Sequence, residues 1–305
     1  MLIPKIIHQT FSDNSKLQTE LLSNINCLKT NNPGWEYRLY EDKDIVSFIN
    51  KYYGSYVLKR FNQINPLYGA ARADLFRYLL MYQCGGVYLD IKSTVRKPID
   101  EVLRPDDQYL LSQWKHTPGE LHQRWGLHPD LCHISGGEFQ QWHIVARPQH
   151  PFLKSVIANV LRNIDIYQPD DQGVGKIGVL RTTGPIAYTL SIAPLLKNGQ
   201  CRFVDIQKDL SFVYSIYESS GASFHESVFK DHYSTQTGPV IIRSNVARKN
   251  NLPTNLGAVI SKVFDIFPYW RLSKFKAACR NKRQRRLYED PSTEQILTKI
   301  YEEKS

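Results

Sequence analysis

AARADLFRYLLMYQCGGVYLDIKSTVRKP, residues 70–98, holds a helix, a two-glycine stop, a short apolar strand and a polar exit. Leu75, Leu79 and Tyr82, with Phe76 and Leu80 beside them, recur at helical spacing and predict an apolar flank. Gly85-Gly86 supplies the positive φ at which helices commonly end. Val87-Tyr88-Leu89 is β-prone and stops at an acid, Asp90, and the next turn carries Lys92, Arg96 and Lys97. In open α/β sheets a phosphorylated ligand sits at the carboxyl end of a strand. A carboxylate there, close to several cations, makes Asp90 a candidate site residue. The competing reading makes it the cap of the turn that follows.

Upstream, IPKIIHQTF is a first strand ending in His8, Gln9 and Thr10, and a helix is expected over roughly 15–30. Asn31-Asn32-Pro33-Gly34 is a turn, and Trp35–Tyr40 alternates as a second strand. Asp44 is placed to cap a helix through Ile45, Phe48 and Ile49. This order of strands and helices implies a mostly parallel, helix-covered sheet. Downstream, Ile99–Leu103 forms a short turn or helix and Tyr109–Ser112 another strand. Residues 114–134 hold four His and two Trp among Gly and Pro, as in a surface loop. Residues 133–146 carry strand character, and His150-Pro151 opens a helix. Residues 165–178 are expected as loop, Gly184-Pro185 starts a further helix, and 204–217 is ambiguous.

A chain of 305 residues can bury a large core. Hydrophobic residues make up 42% and aromatics 12%, an ordinary globular composition. No apolar run approaches the ~20 residues of a membrane-spanning helix. Pro4, Lys5 and His8 interrupt the first apolar stretch, so no signal peptide is expected and the chain is placed in the cytoplasm. Five dispersed cysteines without a C-x-x-C pair suggest reduced thiols rather than disulfides or a zinc site.

The net charge of +10 is uneven, because residues 243–305 carry 14 Lys and Arg against six acids. Residues 271–286, RLSKFKAACRNKRQRR, follow Phe264, Phe267, Tyr269 and Trp270. This matches a basic helical extension lying on an anionic membrane surface, and a solvated basic helix is the rival. Charge without a recognised motif does not indicate nucleic-acid binding. The expected division is therefore a catalytic domain, 1–242, and a basic extension, 243–305.

These segments together resemble glycosyltransferase family 32, whose members carry a DXD sugar-binding region. The resemblance rests on IPKIIHQTF, PGWEYRLYED and above all the block from Ala70 to Asp100. ARPQHPFL, TTGPIAYT and the DHYS near 231 follow in family order. It implies a GT-A-like fold, a Rossmann-type mostly parallel sheet flanked by helices that binds a nucleotide-sugar at the carboxyl ends of its strands. By motif, His8, Gln9 and Thr10 lie beside the nucleotide, Asp74 and Arg77 hold the donor sugar, and Asp90 is the first acid of D-x-D. The implied cofactor is a divalent metal, Mn²⁺ or Mg²⁺. The implied partners are a nucleotide-sugar donor and a glycan or lipid-linked glycan acceptor, in surface polysaccharide synthesis such as capsule or lipopolysaccharide assembly.

At the second acid of D-x-D the chain has Lys92. Three readings stay open: Lys92 replaces the metal at the phosphates; it points away while Asp90 and His232 or Asp231 hold the metal; or the site is inactive. Glu138 is a candidate catalytic carboxylate near the anomeric carbon, with Gln140 and Gln141 beside it. Thr182, Thr183 and Gly184 could cradle an anion at a helix start or simply cap it. The function expected is a retaining hexosyltransferase. A sugar-phosphate transferase and a non-catalytic sugar- or nucleotide-binding module are the alternatives.

Overall fold

A computed structural model describes residues 2–198, 201–221 and 236–243. The expected metal ligands Asp231 and His232, Cys279 and all of the basic extension except Arg243 lie outside the described residues. Six strands form the main sheet: β1 (Ile6–Thr10), β2 (Glu36–Tyr40), β3 (Gly86–Leu89), β5 (Tyr109–Leu111), β6 (His143–Ala146) and β7 (Arg202–Phe203). Their order is β2-β1-β3-β6-β5-β7. β1 runs parallel to β2 and β3, β5 runs parallel to β7, and β6 is antiparallel to both of its neighbours. One reversed strand in an otherwise parallel, helix-covered sheet is the GT-A-like α/β arrangement expected. β4 (Thr94–Val95) and β8 (Phe212–Val213) make a separate antiparallel pair.

Alternation along the strands feeds two cores. Tyr88, Tyr109, Leu111, Ile144 and Ala146 face one side, where they pack with α2 (Asp42–Gln63), α3 (Gly69–Cys84), α5 (Pro151–Ile166), α7 (Gly175–Thr182) and α8 (Pro185–Ile192). Val87, Leu89, Leu110 and Val145 face the other side, with Leu28 of α1 (Thr19–Asn31) and Ile99 of α4 (Ile99–Val102). This is the period of two that a pleated strand imposes.

Helix α3 is more enclosed than one apolar flank implies. Ala71, Asp74 and every residue from Leu75 to Met81 are buried, including Arg77. The two charged residues are buried against the end of β3 and its neighbours, Arg77 over the Tyr88 ring and beside Asp90, and Asp74 between Gln141 and Thr183. Both glycines after α3 are required by geometry. Gly85 has φ 64° and Gly86 φ 103°, and a Cβ at Gly86 would lie 2.6 Å from the Ile6 carbonyl oxygen. Only glycine accepts that φ together with so close an approach of strand β1.

Three expectations are corrected. Strand structure begins at His143, not at 133, because Gly136 and Gly137 both turn at φ 77°. Residues 165–178 are not loop: α6 (Pro169–Gln172) and α7 lie there. The glycines that suggested a loop permit close packing, as a Cβ on Gly178 would stand 2.6 Å from the Gly173 oxygen. Asp44 does not begin α2. The helix starts at Asp42, and Asp44 Oδ2 accepts the Glu41 N–H at 3.0 Å, capping from within the first turn. No helix among the described residues is long and apolar enough to cross a membrane. Cys27, Cys84, Cys132 and Cys201 are free thiols.

Candidate active site

Reversal of β6 brings two stretches together at one edge of the sheet. β3 ends at Leu89, paired with His143 at the start of β6, so the segment before β6 meets the segment after β3. The Asp90 N–H donates to the Trp142 carbonyl at 2.8 Å, and Gln9 Nε2 donates to the Asp90 carbonyl at 3.0 Å. The backbone of Asp90 is therefore clamped between β1 and the β6 entry. Its side chain faces a cleft of about 920 Å³.

Four charged side chains alternate in sign along this wall. Arg77 Nη1 stands 2.9 Å from Asp90 Oδ1, and Arg77 Nη2 stands 3.4 Å from Asp74 Oδ1. Lys92 Nζ stands 3.7 Å from Asp90 Oδ2. Asp74 is further held by Gln141 Nε2 and by the Thr183 hydroxyl, each donating at 3.0 Å. Arg77 also donates to the Gln141 carbonyl at 2.9 Å and lies over the Tyr88 ring. Burial pushes the Asp74 carboxyl up even with Arg77 beside it. Burial opposes the charge on Arg77, but the carboxylates of Asp90 and Asp74 outweigh it and raise its pKa.

Thr10, Asp74, Arg77, Asp90, Lys92 and Glu138 line one cleft. His8 and Gln9 do not line it, and this corrects their expected place beside the nucleotide. His8 is fully buried, with Nε2 3.0 Å from the Gly85 carbonyl and Nδ1 3.1 Å from the Tyr40 hydroxyl. Burial lowers its pKa to about 4, so it is neutral at pH 7. Gln9 accepts from the Tyr37 hydroxyl at 2.8 Å while donating to Asp90. As neighbours on β1 they face opposite sides of the sheet, His8 packing on the Gly85 turn and Gln9 holding the Asp90 backbone.

Glu138 closes the opposite wall. Its Oε1 accepts from Trp114 Nε1 at 2.7 Å, and its Oε2 lies 2.8 Å from His128 Nε2. Thr183 is not an anion cradle; its hydroxyl is spent on Asp74, and helix α8 behind it is wholly buried. Arg72 lies over the Phe61 ring at the cleft margin.

The sequence reading missed Tyr214. Its ring lies under Lys92, with Nζ 4.4 Å from the centroid, and it packs edge-on against Trp114, Trp125 and Trp142. The His- and Trp-rich stretch is a surface loop, as expected, and its Trp114, His122 and Trp125 rings pack together beside Tyr214. No local signal at 214 announces this; only the pairing of β4 with β8 brings Tyr214 there.

The described residues alone do not build a divalent-cation site, and the expected co-ligands Asp231 and His232 lie outside them. Among the described residues no group of three His, Cys, Asp or Glu is placed to hold one. Asp90, the remaining acid of the motif, already has a guanidinium on one oxygen and an ammonium facing the other.

Residues 18–110 match the family described as glycosyltransferase sugar-binding region containing DXD motif. The chain is 29% identical over 161 residues to inositol phosphoceramide mannosyltransferase 1 of Schizosaccharomyces pombe, covering 52% of this chain and 43% of that protein. It is 28% identical over 218 residues to the initiation-specific alpha-1,6-mannosyltransferase of Candida albicans, covering 64% and 54%. The chain thus spans about half the length of these relatives. Among solved structures it resembles PaToxG glycosyltransferase with a TM-score of 0.41 and 15% identity, over 64% of this chain and 71% of that one.

Proposed function

We propose that this chain, a family-32-like glycosyltransferase by relationship, transfers a hexose from a nucleotide-sugar to a hydroxyl of a glycan or lipid-linked glycan with retention of anomeric configuration. The observation that carries the proposal is the Asp74–Arg77–Asp90–Lys92 array at the carboxyl edge of the sheet, facing a cleft of about 920 Å³. That volume is in the range of ligand sites. Asp74 and Arg77 orient the donor sugar, Thr10 borders the nucleotide, and Asp90 positions the cations that meet the diphosphate. In the transfer, the bond from the anomeric carbon to the diphosphate oxygen breaks and leaves its electron pair on that oxygen. The acceptor oxygen bonds to the same carbon, and its proton passes to the departing diphosphate. Cations held at the diphosphate favour the step because the negative charge grows there. Glu138, across the cleft, is assigned to stabilising the anomeric centre.

The names of the two relatives make a mannosyl donor the first to test, and the ceramide-linked one favours a lipid-linked acceptor. We place the reaction in surface polysaccharide assembly at the cytoplasmic face of a membrane, with the basic segment 271–286 as the membrane contact. Its support is the charge of that segment alone. The test of activity is incubation with GDP- and UDP-hexoses and a mannoside acceptor. Release of nucleoside diphosphate in step with addition of one hexose to the acceptor is expected. Release without acceptor modification, even with a panel of acceptors, would defeat the transferase reading.

A further inference from the structure

We propose that the donor diphosphate is held directly by Lys92 and Arg77, with no divalent cation, and that Asp90 serves to position those two cations. The inference deepens the glycosyltransferase reading and rests on it. A carboxylate binds a divalent cation by offering it oxygen lone pairs in a region of negative potential. At Asp90 one oxygen is occupied and the negative potential is offset by two cations. Its Oδ1 accepts from Arg77 Nη1 at 2.9 Å and from the Tyr88 hydroxyl at 3.4 Å, and its Oδ2 faces Lys92 Nζ at 3.7 Å. A divalent ion at that carboxylate would sit against two fixed positive charges.

Lys92 is built into this position by the fold. The Lys92 carbonyl accepts the Ile216 N–H at 2.8 Å, and the Ser93 hydroxyl donates to the Tyr214 carbonyl at 2.7 Å. Immediately beyond, Thr94 pairs with Val213 and Val95 with Phe212. The small β4–β8 sheet therefore stitches the turn after Asp90 to the segment bearing Tyr214. The outcome is the ammonium resting on the Tyr214 ring, with only 12% of the Lys92 side chain exposed. The ammonium thus lines the cleft, resting on an aromatic face beside the Asp90 carboxylate. Arg77, forked between Asp74 and Asp90, presents the second charge from the other side of the Asp90 carboxylate. Two cations flanking one carboxylate, at the edge where the phosphates of a nucleotide lie, can meet a diphosphate with charge-assisted hydrogen bonds.

The experiment is isothermal titration of the full chain with UDP, GDP and inorganic pyrophosphate, each in EDTA and again in Mn²⁺. A nucleoside diphosphate is expected to bind in EDTA, with Mn²⁺ changing Kd by less than about threefold. Lys92→Ala is expected to weaken binding about tenfold or more, the scale of one charge-assisted contact. Lys92→Arg is expected to restore most of it, which separates lost charge from lost folding. Lys92→Asp, which recreates the acid pair, is expected to bind in Mn²⁺ and not in EDTA. Binding by the parent that vanishes in EDTA and returns with Mn²⁺, or an unchanged Kd in Lys92→Ala, overturns the proposal. Failure of every nucleotide and nucleotide-sugar to bind in either condition would instead overturn the glycosyltransferase reading beneath it.

Discussion

Replacing Arg77 by methionine is expected to lower the stability of the chain by about 3–5 kcal/mol, the cost of breaking a buried ion pair from one side. The same change is expected to reduce hexosyl transfer by about 10²–10³-fold, the scale of losing one preorganised charge at a reacting group. Arg77 is 5% exposed, and its guanidinium reaches Asp74, Asp90, the Gln141 carbonyl and the Tyr88 face. Methionine fills much of the volume but leaves Asp74 buried beside no cation. Lysine would not substitute, because one ammonium cannot fork between two carboxylates. Urea denaturation of the parent, Arg77→Met, Asp74→Asn and the double variant gives the check. In the double variant the loss should be smaller than the sum of the two single losses, because the uncompensated carboxylate is gone. Additive losses, or a single-variant loss below about 1 kcal/mol, would show that the array contributes no pairing energy.

Acid is expected to destabilise the protein well before its carboxylates titrate. His8 and His143 are buried, and burial lowers their pKa values to about 4 and about 3. Depressed values mean that each contributes stability present above the unfolded pKa of about 6.5. That stability is lost as pH falls through the unfolded value toward the folded one, because the unfolded chain takes up protons that the folded chain refuses. Between pH 7 and pH 5 the loss is about 2 kcal/mol for each residue. His122, also lowered to about 4 by burial and by Lys92, acts in the same direction. The raised Asp74 carboxyl acts in the opposite direction as pH falls. The histidine part is therefore read as the difference in pH slope between the parent and His8→Gln in urea titrations at pH 7 and 5. Equal slopes would mean that folding does not lower the His8 pKa.

Much of the catalytic edge was legible because its signals are local. The helix before Gly85 shows in its apolar spacing, the stop shows in two glycines, and the strand ending at Asp90 shows in its β-prone residues. Asp74 and Arg77 share a helix face, so their partnership follows from a spacing of three. The position of Lys92 is equally plain, as a cation where the family has an acid. What stayed hidden was non-local. His8 and Thr10 are two residues apart, yet one is sealed against Gly85 and the other borders the cleft. That outcome depends on which strands flank β1. The loop reading of 165–178 failed because its glycines serve close packing against neighbours far along the chain.

The sequence by itself determined the order of strands and helices as far as β3, the glycine stop and the identity of the charges around Asp90, because each depends on residues within a few positions of one another. The tertiary structure alone decided what those charges do. Reversal of β6 sets Trp142 against Asp90 and Gln141 against Asp74 and Arg77, and the β4–β8 pair carries Tyr214 from more than a hundred residues away to lie under Lys92. Direction and distance between charges separate a metal ligand from a carboxylate that positions cations, and those arise only when distant segments meet.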